Sequence, residues 1–163
     1  MRLVTIRPYT EKDAHLLGTV FFDSVRIGGL RYYSRAQVEA WAPVVPEPSM
    51  FEARARDGRL ILVAVNDVDE PIAYGDLEQT GHIDHLFCRP EVIGQGVASA
   101  LYDRLEQHAR EQSMARLFAE ASEAALRLFL RKGFTQIKRR DFLLRGVDAH
   151  NYLVEKLLFT PTY

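Results

Sequence analysis

The segment that most constrains this chain is Cys88-Arg89-Pro90-Glu91-Val92-Ile93-Gly94-Gln95-Gly96-Val97-Ala98. An extended run, His82 to Cys88, passes through a proline turn into two glycines, and a helical repeat starts at once. Val97, Ala98, Leu101, Tyr102, Leu105 and Ala109 recur at the spacing of one helix face. Gly94 and Gly96 carry no Cβ, so they take positive φ without strain and leave neighbouring N–H groups uncovered. The first N–H groups of the helix have no intrahelical partner and carry the positive end of its dipole. A strand, a glycine turn and a helix start in this order make an anion site suited to a pyrophosphate. Ala98 and Ser99 are small enough to let a ligand reach the backbone. The segment is not a P-loop, because no Gly-Lys-Ser/Thr follows. Nor is it a Rossmann fingerprint: the third glycine position is Ser99, and the segment sits mid-chain among antiparallel-type strands.

Around this turn the chain reads as strand, helices, three strands, helix, strand, helix, two strands. Leu3 to Arg7 predicts a strand, and Thr10 to Asp13 a capping box. Leu16, Leu17, Val20, Phe21, Ser24 and Val25 follow on one helix face, stopped by Gly28-Gly29. Ser34 to Gln37 is a second capping box, and Ser49 and Glu52 open a helix that stops at Asp57-Gly58. Leu60 to Val65 is continuously apolar, as a strand buried on both faces should be. Ile72 to Glu78 and His82 to Cys88 are the next strands, and Ala115 to Ala119 another. Ser122 is placed to cap the following helix and Gly133 to end it. Phe134 to Leu144 and Val147 to Leu158 close the chain as strands. The pattern predicts one α/β (mixed α+β) domain over residues 1–163, with a mixed, mostly antiparallel sheet of about seven strands and one βαβ crossover over 82–119.

Composition excludes several roles. With 21 Lys plus Arg against 22 Asp plus Glu, the net charge of −1 lacks the basic excess of a phosphate-tracking surface, so no nucleic-acid partner is expected. The longest apolar run, Leu60 to Val65, falls far short of the roughly twenty residues of a membrane span. A single cysteine, Cys88, allows no internal disulfide, and no apolar leader follows Met1, so a cytoplasmic location is expected. His82, Asp84 and His85 do not make a metal shell, because His85 points away from the other two on a strand and no cysteine cluster completes it. Cys88 reads as a buried, inert thiol. Lys138-Arg139-Arg140 reads as a solvent-facing run, and His15, His108 and His150 as ordinary surface or strand residues. The apolar tail Leu157, Leu158, Phe159 is expected to be exposed and makes a homodimer plausible.

Leu86-Phe87-Cys88-Arg89-Pro90-Glu91 followed by Gly94-x-Gly96-x-Ala98 resembles the core motif of the GCN5-related N-acetyltransferases. Lys132-Gly133-Phe134 at the end of the helix from Ala125 resembles the family's second cofactor motif. Tyr33-Ser34-x-x-Gln37-x-x-Ala40-Trp41-Ala42 resembles a bacterial branch of the family. The resemblance implies an acyl-CoA N-acyltransferase fold and direct transfer of an acetyl group from acetyl-CoA to an amine of a small molecule or peptide. The rival readings are a non-catalytic acyl-CoA-binding module on the same fold and a protein Lys or N-terminal acetyltransferase. The backbone of Leu86 and Cys88 would pair with the pantetheine arm, as an added strand does. The Leu86 N–H would hold the oxyanion. The amides of Gly94, Gln95, Gly96, Val97 and Ala98 would grip the pyrophosphate, and Ile93, Ser99, Ser122 and Phe129 complete the expected cofactor site.

Three positions depart from the family pattern. Ile93 replaces the usual Gln or Arg, Ser122 the usual asparagine, and Phe129 the tyrosine that serves as general acid. The acid is then another tyrosine, with Tyr152 on the last strand the candidate, or water. His82, Asp84, Leu86 and Cys88 share one strand face. His82 aligns with the position that often holds a catalytic Glu in the family, and His82 and Asp84 are the expected base and its partner. Arg26, Arg31, Tyr32 and Tyr33 lie in the region that forms a wall of the family's acceptor pocket.

Overall fold

The computed structural model describes residues 4–159. Leu3 of the first expected strand, and both ends of the expected domain span, lie outside the described residues. Seven strands and five α-helices occur among those described. They run β1 (Thr5–Pro8), α1 (Ala14–Arg26), α2 (Arg35–Trp41), α3 (Pro48–Ala55), β2 (Leu60–Val65), β3 (Pro71–Leu77), β4 (Leu86–Cys88), α4 (Val97–Glu111), β5 (Arg116–Ala121), α5 (Glu123–Arg131), β6 (Thr135–Leu144) and β7 (Val147–Leu157).

The strands form two antiparallel sheets, β1-β2-β3-β4 and β5-β7-β6. Among the described residues they meet at a single parallel bridge between His82 and Phe118. The expected crossover from β4 through α4 to β5 is present, but β4 and β5 diverge after that bridge and leave a wedge.

β2 explains its own sequence. Leu62 and Ala64 point into the core under α4, with Leu101, Tyr102, Leu105 and Leu117. Val63 and Val65 point the other way, against Leu17, Val20, Phe51 and Tyr74 of the layer formed with α1 and α3. A strand covered on both faces has no polar side, hence the continuous apolar run. At about 25 cal/mol per Å² of apolar area removed from water, each buried Leu or Val side chain of this strand contributes roughly 1.5–3 kcal/mol.

The third central strand is shorter than its sequence suggests, with only Leu86–Cys88 of the expected 82–88 in β4. Asp76 is the cause. Its Oδ1 accepts the N–H groups of Asp84 (3.0 Å) and His85 (2.9 Å). Its own N–H donates to the His85 carbonyl, and Glu78 N–H to that of His82. A side chain thus takes donors that a ladder would use, and 82–85 becomes a loop. The shared strand face expected for His82, Asp84, Leu86 and Cys88 is therefore lost.

The capping boxes hold. Thr10 N–H donates to Asp13 Oδ2 at 2.8 Å, and Ser34 N–H and Gln37 Oε1 close the second box at 2.9 Å. Gln37 Nε2 also reaches the Asp148 carbonyl, and Arg145 Nη1 the Ala40 carbonyl, tying α2 to the β6–β7 hairpin. Gly18 of α1 faces the proline loop so closely that a Cβ there would lie 2.6 Å from the Pro46 carbonyl oxygen. In the tail, Leu157 and Phe159 are exposed, but Leu158 is buried in the main core and corrects the expected exposed patch. No helix among the described residues is long and apolar enough to cross a membrane.

Candidate active site

Two cavities open into the wedge and share Tyr33, Trp41, Leu86, Phe87, Ser122 and Ala125. The larger, about 560 Å³, runs past Cys88 and along Ile93, Gly94, Gly96, Val97, Ala98 and Ser99. The smaller, about 350 Å³, lies between the 83–87 segment, the end of β5 and the β6–β7 hairpin.

The glycine turn has the form its sequence implies. Gly94 and Gly96 have φ of +83° and +84°, and an added Cβ at either would meet no protein atom within 4 Å. The turn commits two of its amides internally: Ile93 N–H donates to the Pro90 carbonyl and Gln95 N–H to that of Val92. Gln95 also folds its side chain back onto the Glu91 carbonyl and does not line the cavity, which corrects its expected role. The open donors are then those of the glycines and of the first turn of α4, apart from Ala98 N–H, which meets the Cys88 thiol. The cradle suits a diphosphate, and Arg31, Arg127 and Arg131 add cations to the same cavity. The glycine motif does not point to Arg127 and Arg131; their i, i+4 spacing on α5 is the sequence signal that does. Arg31 and Tyr32 were expected beside the acceptor but line the glycine-turn cavity, and only Tyr33 reaches both. Arg26 is tied to the Ala42 carbonyl at 2.9 Å.

Cys88 is buried, and that burial pushes its thiol up to about 12, which leaves it inert. Phe129 has no hydroxyl; it lines the smaller cavity from the core, edge-on to Phe134 at 4.9 Å. Ser122 caps α5, its Oγ accepting from Ala125 N–H at 3.1 Å, and lines both cavities.

His82 and Asp84 are not brought together as a pair. Asp84 lines the smaller cavity and accepts from Arg54 Nη2 at 2.6 Å. Burial alone would raise its carboxyl, but the bond from Arg54 holds it below the usual range. His82 is clamped between two carboxylates, Nδ1 on Glu78 Oε2 at 2.5 Å and Nε2 on Glu120 Oε2 at 2.6 Å. The bonds to Glu120 and then Glu78 raise it to about 9, so at neutral pH it is a cation with both nitrogens engaged. The ring stacks on Phe118 at 4.9 Å, at the only bridge between the sheets among the described residues. Such a ring cannot take a further proton, which corrects its expected role as base. Glu120 lines the smaller cavity, its carboxyl held low by His82.

The smaller cavity also holds two histidines, His85 and His150, that no local sequence pattern assigns to the site. His85 bonds Tyr74 Oη through Nδ1 at 2.9 Å, and burial lowers it to about 4, so it stays neutral. His150 places Nε2 2.6 Å from Glu123 Oε1, which also accepts from Tyr152 Oη at 2.6 Å. Tyr152 itself does not line either cavity. Tyr33 Oη accepts the Glu123 N–H at 2.6 Å, and burial raises its hydroxyl, so the phenol keeps its proton. No group of three metal-ligating side chains occurs among the described residues.

An acetyltransferase (GNAT) domain description matches residues 30–156. The chain is 29% identical over 153 residues to "Uncharacterized N-acetyltransferase YafP" of Escherichia coli (strain K12), covering 93% of this chain and 95% of that one. It is 30% identical to the crystal structure of a GCN5-related N-acetyltransferase from Rhodopseudomonas palustris, with TM-score 0.87 and coverage of 97% and 98%. The fold is shared with yncA, a putative acetyltransferase from Salmonella typhimurium solved with acetyl-CoA (17% identity, TM-score 0.76, coverage of 99% and 98%).

Proposed function

Because the chain belongs to the GNAT acetyltransferase family and is an acetyl-CoA-dependent N-acetyltransferase, we propose that its acceptor is a small primary amine with a flat apolar body. One observation carries this reading. The smaller cavity has aromatic walls, with Phe21, Trp41, Phe87 and Phe142, and two ionised carboxylates, Asp84 and Glu120. Aromatic walls favour a flat apolar body, and carboxylates in a partly dry site favour an ammonium. At about 350 Å³ the cavity is the size of a small-molecule site.

Acetyl-CoA, when bound, supplies the acetyl group as a thioester. The amides of Gly94, Gly96 and the first turn of α4 hold its diphosphate, with Arg127 and Arg131 in support. Leu86 N–H is the oxyanion donor. Asp84 and Glu120 draw in the ammonium and align it. His82 acts as the cation that fixes Glu120, not as the base. The proton acceptor is His150: Nε2 is turned to Glu123, and Nδ1 is the nitrogen left to take the proton. Tyr33 Oη, with Glu123 N–H bonded to its oxygen, keeps its own proton available where the cavities join. Tyr152 steadies Glu123.

The test is release of free thiol from acetyl-CoA in the presence of phenethylamine, tyramine and tryptamine, against spermidine and peptides with a free N-terminus or a lysine. The arylalkylamines should exceed the others in kcat/KM by tenfold or more. A preference for the peptides overturns the reading.

A further inference from the structure

The amide of Asn151 is the unmatched group of the acceptor cavity. Asn151 lies on β7 beside His150 and lines that cavity. Its Oδ1 is buried and has no hydrogen-bond partner. The other such atom among the described residues, Tyr9 Oη, lies in neither cavity. The polar neighbours of Asn151 in the cavity wall are all engaged within the protein. Tyr33 holds Glu123 N–H, Ser122 caps α5, and Asp84, His85, Glu120 and His150 bond Arg54, Tyr74, His82 and Glu123. A buried acceptor left unpaired is a standing penalty in the free protein, and a donor that reaches it on binding removes that penalty.

We propose that Asn151 Oδ1 is a specificity contact that accepts an N–H of the acceptor amine and so selects primary over secondary amines. The inference rests on the aromatic-amine reading above. A neutral primary amine has two N–H groups, one for a carboxylate of the wall and one for Asn151. A secondary amine has one and must leave an acceptor unpaired. Sites built to hydrogen-bond a substrate group discriminate strongly against analogues that lack it, for that reason.

The experiment compares the wild type with Asn151→Leu, of similar shape but without the oxygen, and Asn151→Ala. Acetyl transfer is measured with phenethylamine and N-methylphenethylamine, and thermal unfolding is measured on the free proteins. In both variants KM for phenethylamine should rise tenfold or more, with KM for acetyl-CoA within twofold. The wild-type preference for phenethylamine over its N-methyl analogue should shrink at least fivefold. Tm of Asn151→Leu should equal or exceed that of the wild type, because an unpaired polar group has been replaced by an apolar one. An unchanged KM for the amine, or an unchanged primary-to-secondary ratio, overturns the proposal. So does a clear fall in Tm of Asn151→Leu, which marks the amide as structural. If the wild type binds CoA but acetylates neither amine, the aromatic-amine reading fails by itself. The unfolding comparison, which needs no acceptor, then decides whether the oxygen is unpaired.

Discussion

Raising the pH should weaken the seam between the two sheets through one residue, His82. An imidazole that moves from 6.5 in the unfolded chain to about 9 in the fold binds a proton more tightly in the native state. The stabilisation is fully present below pH 6.5 and is lost as pH rises towards 9, since the folded protein then holds a proton that the unfolded chain has given up. At 1.36 kcal/mol per pH unit, the native state stands to lose about 3 kcal/mol across that window. The side chain is only 18% exposed, so solvent screens the pair weakly. Glu78 and Glu120 are its partners, and Arg59 and Arg140 compete for the same carboxylates at 3.1 and 3.7 Å. The assay is urea unfolding followed by the fluorescence of Trp41, the sole tryptophan, from pH 6 to pH 10 in the wild type and His82→Gln. The wild type should be more stable at pH 6 by about 3 kcal/mol, with the gap closing to under about 1 kcal/mol by pH 10. A gap that stays constant with pH refutes the reasoning, because it would mean that the ring contributes by packing on Phe118 and not by its charge.

Gly96→Ala should destabilise the protein by only about 1–2 kcal/mol, the strain of a left-handed alanine, yet lower the affinity for CoA at least tenfold in calorimetry; an unchanged affinity refutes the diphosphate cradle. Asp76→Asn should cost about 3–5 kcal/mol, because it strips one charge from a buried network with Arg54 and Arg59. Thermal unfolding would register this as a fall of about 10 °C. Tyr33→Phe should lower kcat by about a hundredfold, the usual scale of one general acid, while leaving KM for acetyl-CoA alone. An intact kcat would move the acid to water or Tyr152.

Much of the fold was legible because local rules and tertiary packing agree. The glycine turn, the capping boxes at Thr10 and Ser34, the Ser122 cap and the two-sided strand Leu60–Val65 are all determined within a few residues of themselves. The site was less legible because its chemistry depends on contacts distant in sequence. His82 meets a carboxylate 38 residues away, and no local pattern signals that Glu120 would occupy its second nitrogen. His150 shares its carboxylate with Tyr152 across 27 residues and looked like any polar strand residue. The 82–88 run alternated well enough for a strand, but the Asp76 carboxylate competes for its amides from another strand. Tyr33 lay in a region expected at the acceptor wall, but its place at the junction follows from the N-terminus of α5, 90 residues on.

The close approach of Gly18 to the Pro46 carbonyl bears on how such an enzyme can change its diet. That contact has no slack for even a methyl group, so the loop entering α3 is seated against α1 at a fixed distance, and Trp41 of α2 is held just before it in the chain. This side of the pocket behaves as a template. Substitutions that reshape this cavity should be tolerated best on the opposite bank, where Phe142, Leu144 and Ala149 stand on a hairpin whose outer strand is exposed along almost its whole length.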